Sequence, residues 1–280
     1  MSAQPWTQIP VGPHDIKLVV ADMDGTLLDE HSEIPEEFWP MLDRMNEQGV
    51  TFVPASGRQL ATLKSMFGHI AQNGSYIAEN GNMVVSHGQV VNVIDIPMEE
   101  VHCMLDAARD AYQQGKYDIG VVVCGLDRAY VNRRDDAFLA ECRKYYHELE
   151  IVDDLYAVQD RVLKVAVFDF DEAEPMAHAV FGGFEQSHQV VVSGKHWVDI
   201  MDRDADKKQG VIALQRALGV TPAQTAVFGD YLNDLLMLDT GEWSFAMANA
   251  HPDLKRAAHY EAPSNAEHGV LQVLHHLLGV

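Results

Sequence analysis

The chain has 280 residues, enough for two domains, and 47% of them are hydrophobic, ample for packed cores. Its 20 Lys and Arg face 42 Asp and Glu, a formal charge of −22, which argues against nonspecific binding to nucleic acid or to anionic membranes. The three cysteines, Cys103, Cys124 and Cys142, lack metal-ligand spacing and suit a reducing cytoplasm; the start MSAQPWTQIPVGPHD has no secretory pattern, and no run approaches the ~20 apolar residues of a membrane span.

Residues 1–15 read as an irregular tail, with Pro5, Pro10 and Pro13 opposing regular structure. A buried strand over 18–21 then runs into Asp22-Met23-Asp24-Gly25-Thr26. Two carboxylates one residue apart at the carboxyl end of a strand lie where open α/β sheets place their sites. They repel each other, so a positive group belongs between them, and a divalent metal answers best. An EF-hand loop would put an acid at its twelfth position, and Glu33 stands there. A strand precedes this loop instead of a helix, however, and its glycine is fourth instead of sixth.

The pattern predicts a helix over 34–48, with Ile34, Phe38, Leu42 and Met45 on one face and Gly49 after its end. Pro40 inside it either kinks the helix or delays its start. A second strand over 50–55 ends in Ser56-Gly57-Arg58, which opens a helix over 59–67. Free N–H groups, a hydroxyl and a glycine there suit an anion, although the same residues also serve as a plain N-cap. A short strand over 76–78 precedes the turn Glu79-Asn80-Gly81.

From about residue 85 the pattern changes. Helices over 97–114, 136–147 and 173–181 alternate with strands over 118–124, 129–132, 163–170, 189–193 and 197–201. That order predicts a self-contained α+β unit over 85–201, inserted into a domain made of 1–84 and 202–280. The first domain resumes with Asp206-Lys207-Lys208, opening a helix to Leu218. A strand over 225–228 follows and ends in Gly229-Asp230-Tyr231-Leu232-Asn233-Asp234. A short helix over 235–238, a strand over 244–247 and helices over 251–258 and 270–278 complete the chain.

In a parallel sheet, Asp22 and Asp24, Ser56, Lys207, and Asp230, Asn233 and Asp234 would converge on one rim. Carboxylate oxygens suit Mg²⁺, while lysine and serine suit a phosphoryl group. An aspartate beside bound phosphate can attack phosphorus, and a second carboxylate can protonate the leaving alkoxide and then activate water. Local cations are required, because the global charge repels an anionic substrate.

With D-x-D-G-T-L at 22–27, S-G-R at 56–58 and G-D-x-x-N-D at 229–234, the chain resembles the haloacid dehalogenase superfamily phosphatases. The stretches AENG (78–81), AMANA (246–250) and N-x-E-x-G-V (265–270) resemble signatures of their Cof-like branch, which carries a type IIB (C2B) cap. The resemblance implies an α/β Rossmann-like core with a parallel sheet, plus the inserted α+β cap over 85–201. It makes Asp22 the nucleophile and Asp24 the general acid/base. It places Mg²⁺ on Asp22, the Asp24 carbonyl and Asp230, with Asp234 supporting it directly or from behind. Ser56, Gly25, Gly57, Arg58, Lys207 and Asn233 fall at phosphate- or substrate-binding positions, with Lys208 the second candidate for the lysine. An acid at position 24 suits phosphatases and mutases, whereas transport ATPases carry threonine.

The implied activity is Mg²⁺-dependent hydrolysis of small phosphate monoesters, such as sugar phosphates or related metabolites, through an aspartyl-phosphate. The alternatives are a phosphomutase of the phosphomannomutase kind and a non-catalytic binding protein on the same scaffold. The expected partner is a small phosphorylated metabolite, with no nucleic acid and no membrane; nothing in the sequence fixes an oligomeric state. Lys195, His196, Trp197 and Tyr130 stand near strand ends of the insert and could face substrate, although packing or exposure accounts for them as well.

Overall fold

The computed structural model describes residues 3–68, 70 and 72–280. Met1 and Ser2, the start of the expected tail, lie outside them. In chain order the elements are β1 (Gln4–Pro5), β2 (Leu18–Asp22), α1 (Phe38–Glu47), β3 (Thr51–Ala55), α2 (Leu60–Met66), β4 (Tyr76–Ala78), β5 (Met83–Ser86) and β6 (Gln89–Val93). Then come α3 (Met98–Gln113), β7 (Ile119–Gly125), β8 (Ala129–Val131), α4 (Asp136–Cys142), β9 (Leu149–Ile151), β10 (Val162–Asp169), α5 (Ala173–Met176), β11 (His188–Val192) and β12 (Trp197–Asp202). The last are α6 (Lys207–Leu218), β13 (Thr225–Gly229), β14 (Trp243–Met247), α7 (Pro252–Ala257), β15 (Tyr260–Ala262) and α8 (Gly269–Leu278).

The chain divides into two compact units: residues 1–57, 66–92 and 206–280 form the first, and 58–65 with 93–205 the second. The first holds a nine-stranded sheet in the order β1-β15-β14-β13-β2-β3-β4-β5-β6. From β1 to β4 every neighbouring pair is parallel, and β4 meets β5 antiparallel. Strand order reverses at β2, with β3 on one side and β13 on the other, which marks the switch point where such sheets bind ligands. β2 is buried along its whole length, as expected of a central parallel strand covered on both faces. Phe38, Phe52, Phe67 and Tyr76 pack edge to face on one side of the sheet, and Phe228 stacks on Phe245 at 4.7 Å between β13 and β14.

Four expectations for this unit change. The N-terminal stretch is not a loose tail: β1 pairs with β15 on the sheet edge, and Gly12 and His14 donate backbone hydrogen bonds to the carbonyls of His276 and Leu277. Pro5 is tolerated because an edge strand can spare an N–H. α1 begins at Phe38, so Pro40 falls in its first turn, where no intrahelical N–H is needed. The hairpin β5–β6 belongs to this sheet, so the first unit runs to residue 92 rather than 84. The expected helix over 235–238 is replaced by separate 3₁₀ turns at Leu232–Asp234 and Met237–Thr240.

The second unit is a six-stranded sheet in the order β11-β12-β10-β7-β8-β9. One face packs on α3 and α5 through Val101, Met104, Leu105, Val165, Val167 and Phe181. The other packs on α4 through Phe138, Leu139, Ala166, Phe168 and Trp197. α4 ends at Cys142, well short of 147. Residues 58–65 group with this unit because Gln59 holds the main chain of Glu148 at both ends of its amide, donating to the carbonyl at 3.1 Å and accepting from the N–H at 3.0 Å. Thr62 adds a hydroxyl hydrogen bond of 2.9 Å to the Tyr145 carbonyl.

Candidate active site

Asp22 closes β2, Ser56 follows β3, Asp230 follows β13, and Lys207 opens α6. All four lie in the first unit, at the carboxyl ends of its central parallel strands and the start of a helix. The turn after β2, Met23–Leu27, is not a regular helix: Asp24 has φ −75° and ψ 120°, and Gly25 has φ 80°. A side chain at Gly25 would overlap the Asp230 carboxylate, so the glycine is what lets the two acidic loops approach. Thr26 donates its hydroxyl hydrogen to Asp230 Oδ1 at 3.2 Å. Asp22 is 7% exposed, whereas Asp24 is solvent-exposed.

Lys207 is 1% exposed, and its ammonium bonds Asp22 Oδ1 and Asp234 Oδ1, the latter at 2.6 Å. Asp206 caps α6 by accepting from the Gln209 N–H at 2.7 Å. Two glycines bring that helix start inward. Gly210 rests against Ile77, where a Cβ would stand 2.9 Å from its methyl carbon, and a Cβ on Gly81 would strike the Asp206 carbonyl. Lys208 points elsewhere, 3.4 Å from Asp239 and 32% exposed at its side chain. The geometry therefore separates the two candidate lysines.

Asp234 is fully buried. Its Oδ2 accepts from the N–H groups of Asp230 and Tyr231 at 3.1 and 3.3 Å, while Oδ1 meets Lys207. It thus fixes the loop that presents Asp230. Gly229 makes room for it, since a Cβ there would come 2.6 Å from the Asp234 Cβ. Asn233 is exposed on the same turn. Ser56 is buried; its N–H donates to the Ile77 carbonyl and its carbonyl accepts from the Asn80 N–H, both at 2.9 Å. Gly57 faces the Asn80 amide, where a Cβ would stand 3.1 Å away. Arg58 falls in the second unit.

One carboxylate oxygen from each of Asp22, Asp230 and Asp234 lies within 4.8 Å of the others. Burial, then the charge of Asp234, pushes the Asp22 carboxyl well above its ordinary value despite Lys207. Burial and Asp234 likewise push Asp230 up to about 6. Lys207 is also raised: burial disfavours its charge, but Asp22 and Asp234 outweigh that, so the ammonium persists. Three carboxylates against one ammonium leave excess negative charge in a confined space. A hard divalent cation fits that donor set.

The sequence did not reveal how Thr26, Asn80, Asn249 and Asn265 serve this site. Asn249 donates to the Gly25 carbonyl at 2.8 Å, and Asn265 to the Leu28 carbonyl at 2.9 Å. Both lie in stretches that stood out only as signatures. Of the insert candidates, Lys195 is exposed and the other three have partners within the insert. Trp197 packs on Phe168, Tyr145 and Tyr146, the Tyr130 hydroxyl donates to Asp160 at 3.0 Å, and His196 Nδ1 meets the Asp169 carbonyl.

Acidic strand ends and a buried lysine at the sheet's switch point fit a hydrolase of the haloacid dehalogenase type, and the chain belongs to the haloacid dehalogenase-like hydrolase family, which it matches over residues 19–274. It is a phosphatase of the Cof-like branch, a phosphoric monoester hydrolase acting on small phosphorylated substrates, as its relatives are. The chain is 34% identical to the 5-amino-6-(5-phospho-D-ribitylamino)uracil phosphatase YbjI of Escherichia coli strain K12, covering 94% of this chain and 96% of that one. It is 25% identical to the HMP-PP phosphatase of Escherichia fergusonii, over 85% and 86% of the two chains. Its fold matches a haloacid dehalogenase-like hydrolase from Bacteroides thetaiotaomicron with a TM-score of 0.81 at 23% identity, covering 92% of this chain and 98% of that one. Among the described residues, no helix is long and apolar enough to cross a membrane.

Proposed function

We propose that the protein hydrolyses small phosphate monoesters with Mg²⁺, through an aspartyl-phosphate on Asp22. The observation that carries this reading is the buried Lys207 ammonium between Asp22 and Asp234, beside the three gathered carboxylates. Asp22, the Asp24 carbonyl and Asp230 would hold the ion, whose chemistry is to neutralise the carboxylates and the substrate phosphate. Asp234 acts by holding Lys207 and the Asp230 loop.

Asp22 attacks phosphorus, and the bond to the ester oxygen breaks. Asp24, exposed on its turn, gives that oxygen a proton and leaves as a carboxylate. It then takes a proton from water, whose oxygen attacks the phosphoryl group and returns Asp22 free with inorganic phosphate. Ser56, Lys207, Gly57 and Asn233 steady the phosphoryl oxygens, and Arg58 reaches substrate. The second unit, residues 58–65 and 93–205, acts as the cap that excludes water and selects the leaving group.

The E. coli relative is named for a phosphorylated ribityl-aminouracil, and the class we assign is phosphorylated polyols and sugars. Phosphate release from a panel of sugar, polyol and ribityl-aminopyrimidine phosphates, with Mg²⁺ or with EDTA, tests it. Metal-dependent turnover of panel members supports the reading. Turnover that needs a sugar bisphosphate activator would favour the mutase alternative, and no turnover of any kind would remove the enzymatic reading.

A further inference from the structure

Two asparagines brace the turn that carries Asp24. That turn is short and irregular, closed by one backbone bond from the Leu28 N–H to the Met23 carbonyl at 2.9 Å. Two of its carbonyls are taken by side chains from distant parts of the sequence. Asn249 Nδ2 donates to Gly25, and Asn265 Nδ2 donates to Leu28. The asparagines are themselves joined, because the Asn265 N–H donates to Asn249 Oδ1 at 3.2 Å.

The same brace reaches the metal loop. The His251 N–H, two residues after Asn249, donates to the Asp230 carbonyl at 2.8 Å. Asn265 is held in turn by Ser264 and Glu267, whose hydroxyl and carboxylate form a capping box around it. The segment 249–251 therefore grips the Asp24 turn with one residue and the Asp230 loop with another. Gly25 sits where these loops meet, packed against the Asp230 carboxylate beside the Thr26–Asp230 hydrogen bond.

We infer that Asn249 and Asn265 are positioning residues that set the placement of Asp24 relative to Asp22 and Asp230. They touch no reacting atom. They restrain a turn whose glycine would otherwise let it wander, and the acid/base must sit within hydrogen-bond reach of the ester oxygen. Because Asn249 is exposed, removing its amide leaves no buried group stranded, and the fold survives the substitution.

The inference rests on the phosphatase reading, and the test separates the two. Wild type, Asn249→Ala, Asn265→Ala and the double variant are compared for kcat, KM, the pH profile of kcat, and backbone amide exchange over residues 23–28. The expected result is a fall in kcat of about 10-fold or more in each single variant, with KM within about twofold, and a displaced pH limb for the acid/base step. The double variant should be little worse than either single, because the two amides act as one brace. Exchange over 23–28 should quicken while the melting temperature holds. Wild-type kcat in Asn249→Ala, or fully additive losses, would overturn the brace. If wild type turns over nothing, the phosphatase reading falls, and amide exchange alone decides: unchanged protection over 23–28 in both variants would overturn the brace.

Discussion

Lys207 and Asp234 form an ion pair at 2.6 Å in which the lysine side chain is 1% exposed and the carboxylate not at all. Neither charge reaches water: the ammonium also meets Asp22, and the carboxylate also accepts from the N–H groups of Asp230 and Tyr231. Removing the ammonium leaves two buried carboxylates facing each other, a loss of about 3–5 kcal/mol for a broken buried pair. Lys207→Met should therefore melt clearly below wild type and release no phosphate. Lys208→Met should match wild type in both assays, since that side chain sits beside Asp239.

The glycine of the Asp24 turn is a steric requirement. Gly25→Ala places a methyl group against the Asp230 carboxylate at a φ of 80°, where side chains are strained. The expected outcome is a destabilisation of about 1–3 kcal/mol and a marked rise in the Mg²⁺ concentration needed for half-maximal activity. A metal titration of the variant against wild type reads both. Gly49→Ala tests for specificity: it also has positive φ, but nothing lies within 4 Å of its Cβ, so it should lose stability alone.

The raised carboxyls give the metal-free protein a signed pH dependence. Asp230 is pushed up to about 6, by burial first and Asp234 second, and Asp22 moves in the same direction. A folded-state carboxyl above its unfolded value holds a proton that the unfolded chain has lost. Stability without metal should therefore fall as pH rises from the ordinary carboxylate range through about 6, with Asp22 adding to the fall in the same direction. On the proposed reading, Mg²⁺ held by these carboxylates would take the place of those protons. Melting curves with and without Mg²⁺ should differ more at pH 7.5 than at pH 4.5, whereas an equal increment at both would contradict the assignment.

Thiol labelling checks the second unit. Cys103 is exposed, while Cys124 and Cys142 are buried, and burial pushes the Cys142 thiol up to about 12. The native protein should react rapidly at one cysteine and the denatured protein at three. Fast reaction at Cys142 in the native state would contradict the packing around Phe138 and α4.

The placement of Asp22, Asp24 and Asp230 just after strand ends, and of Lys207 at a helix start, was legible in the sequence because those are local properties. The motifs at 22–27 and 229–234 carry the three acids. The asparagine brace was not legible in the same way, because Asn249 and Asn265 act on residues 224 and 237 positions away. The sequence marked the stretches but not their targets. β1 was hidden for a different reason: two edge residues, one of them proline, give no periodic signal. The grouping of residues 58–65 with the second unit depends on Gln59 meeting Glu148, another distant pairing that local pattern cannot express.

The central claim is that Asp22 carries the phosphoryl group. Rapid acid quenching of the Mg²⁺-loaded protein during turnover of an active phosphate ester, followed by peptide mass spectrometry, tests it most directly. The account predicts one phosphoryl group on the peptide containing Asp22, and neither that label nor phosphate release in Asp22→Asn. Undiminished phosphate release by Asp22→Asn, or a phosphoryl group on another residue, would contradict it.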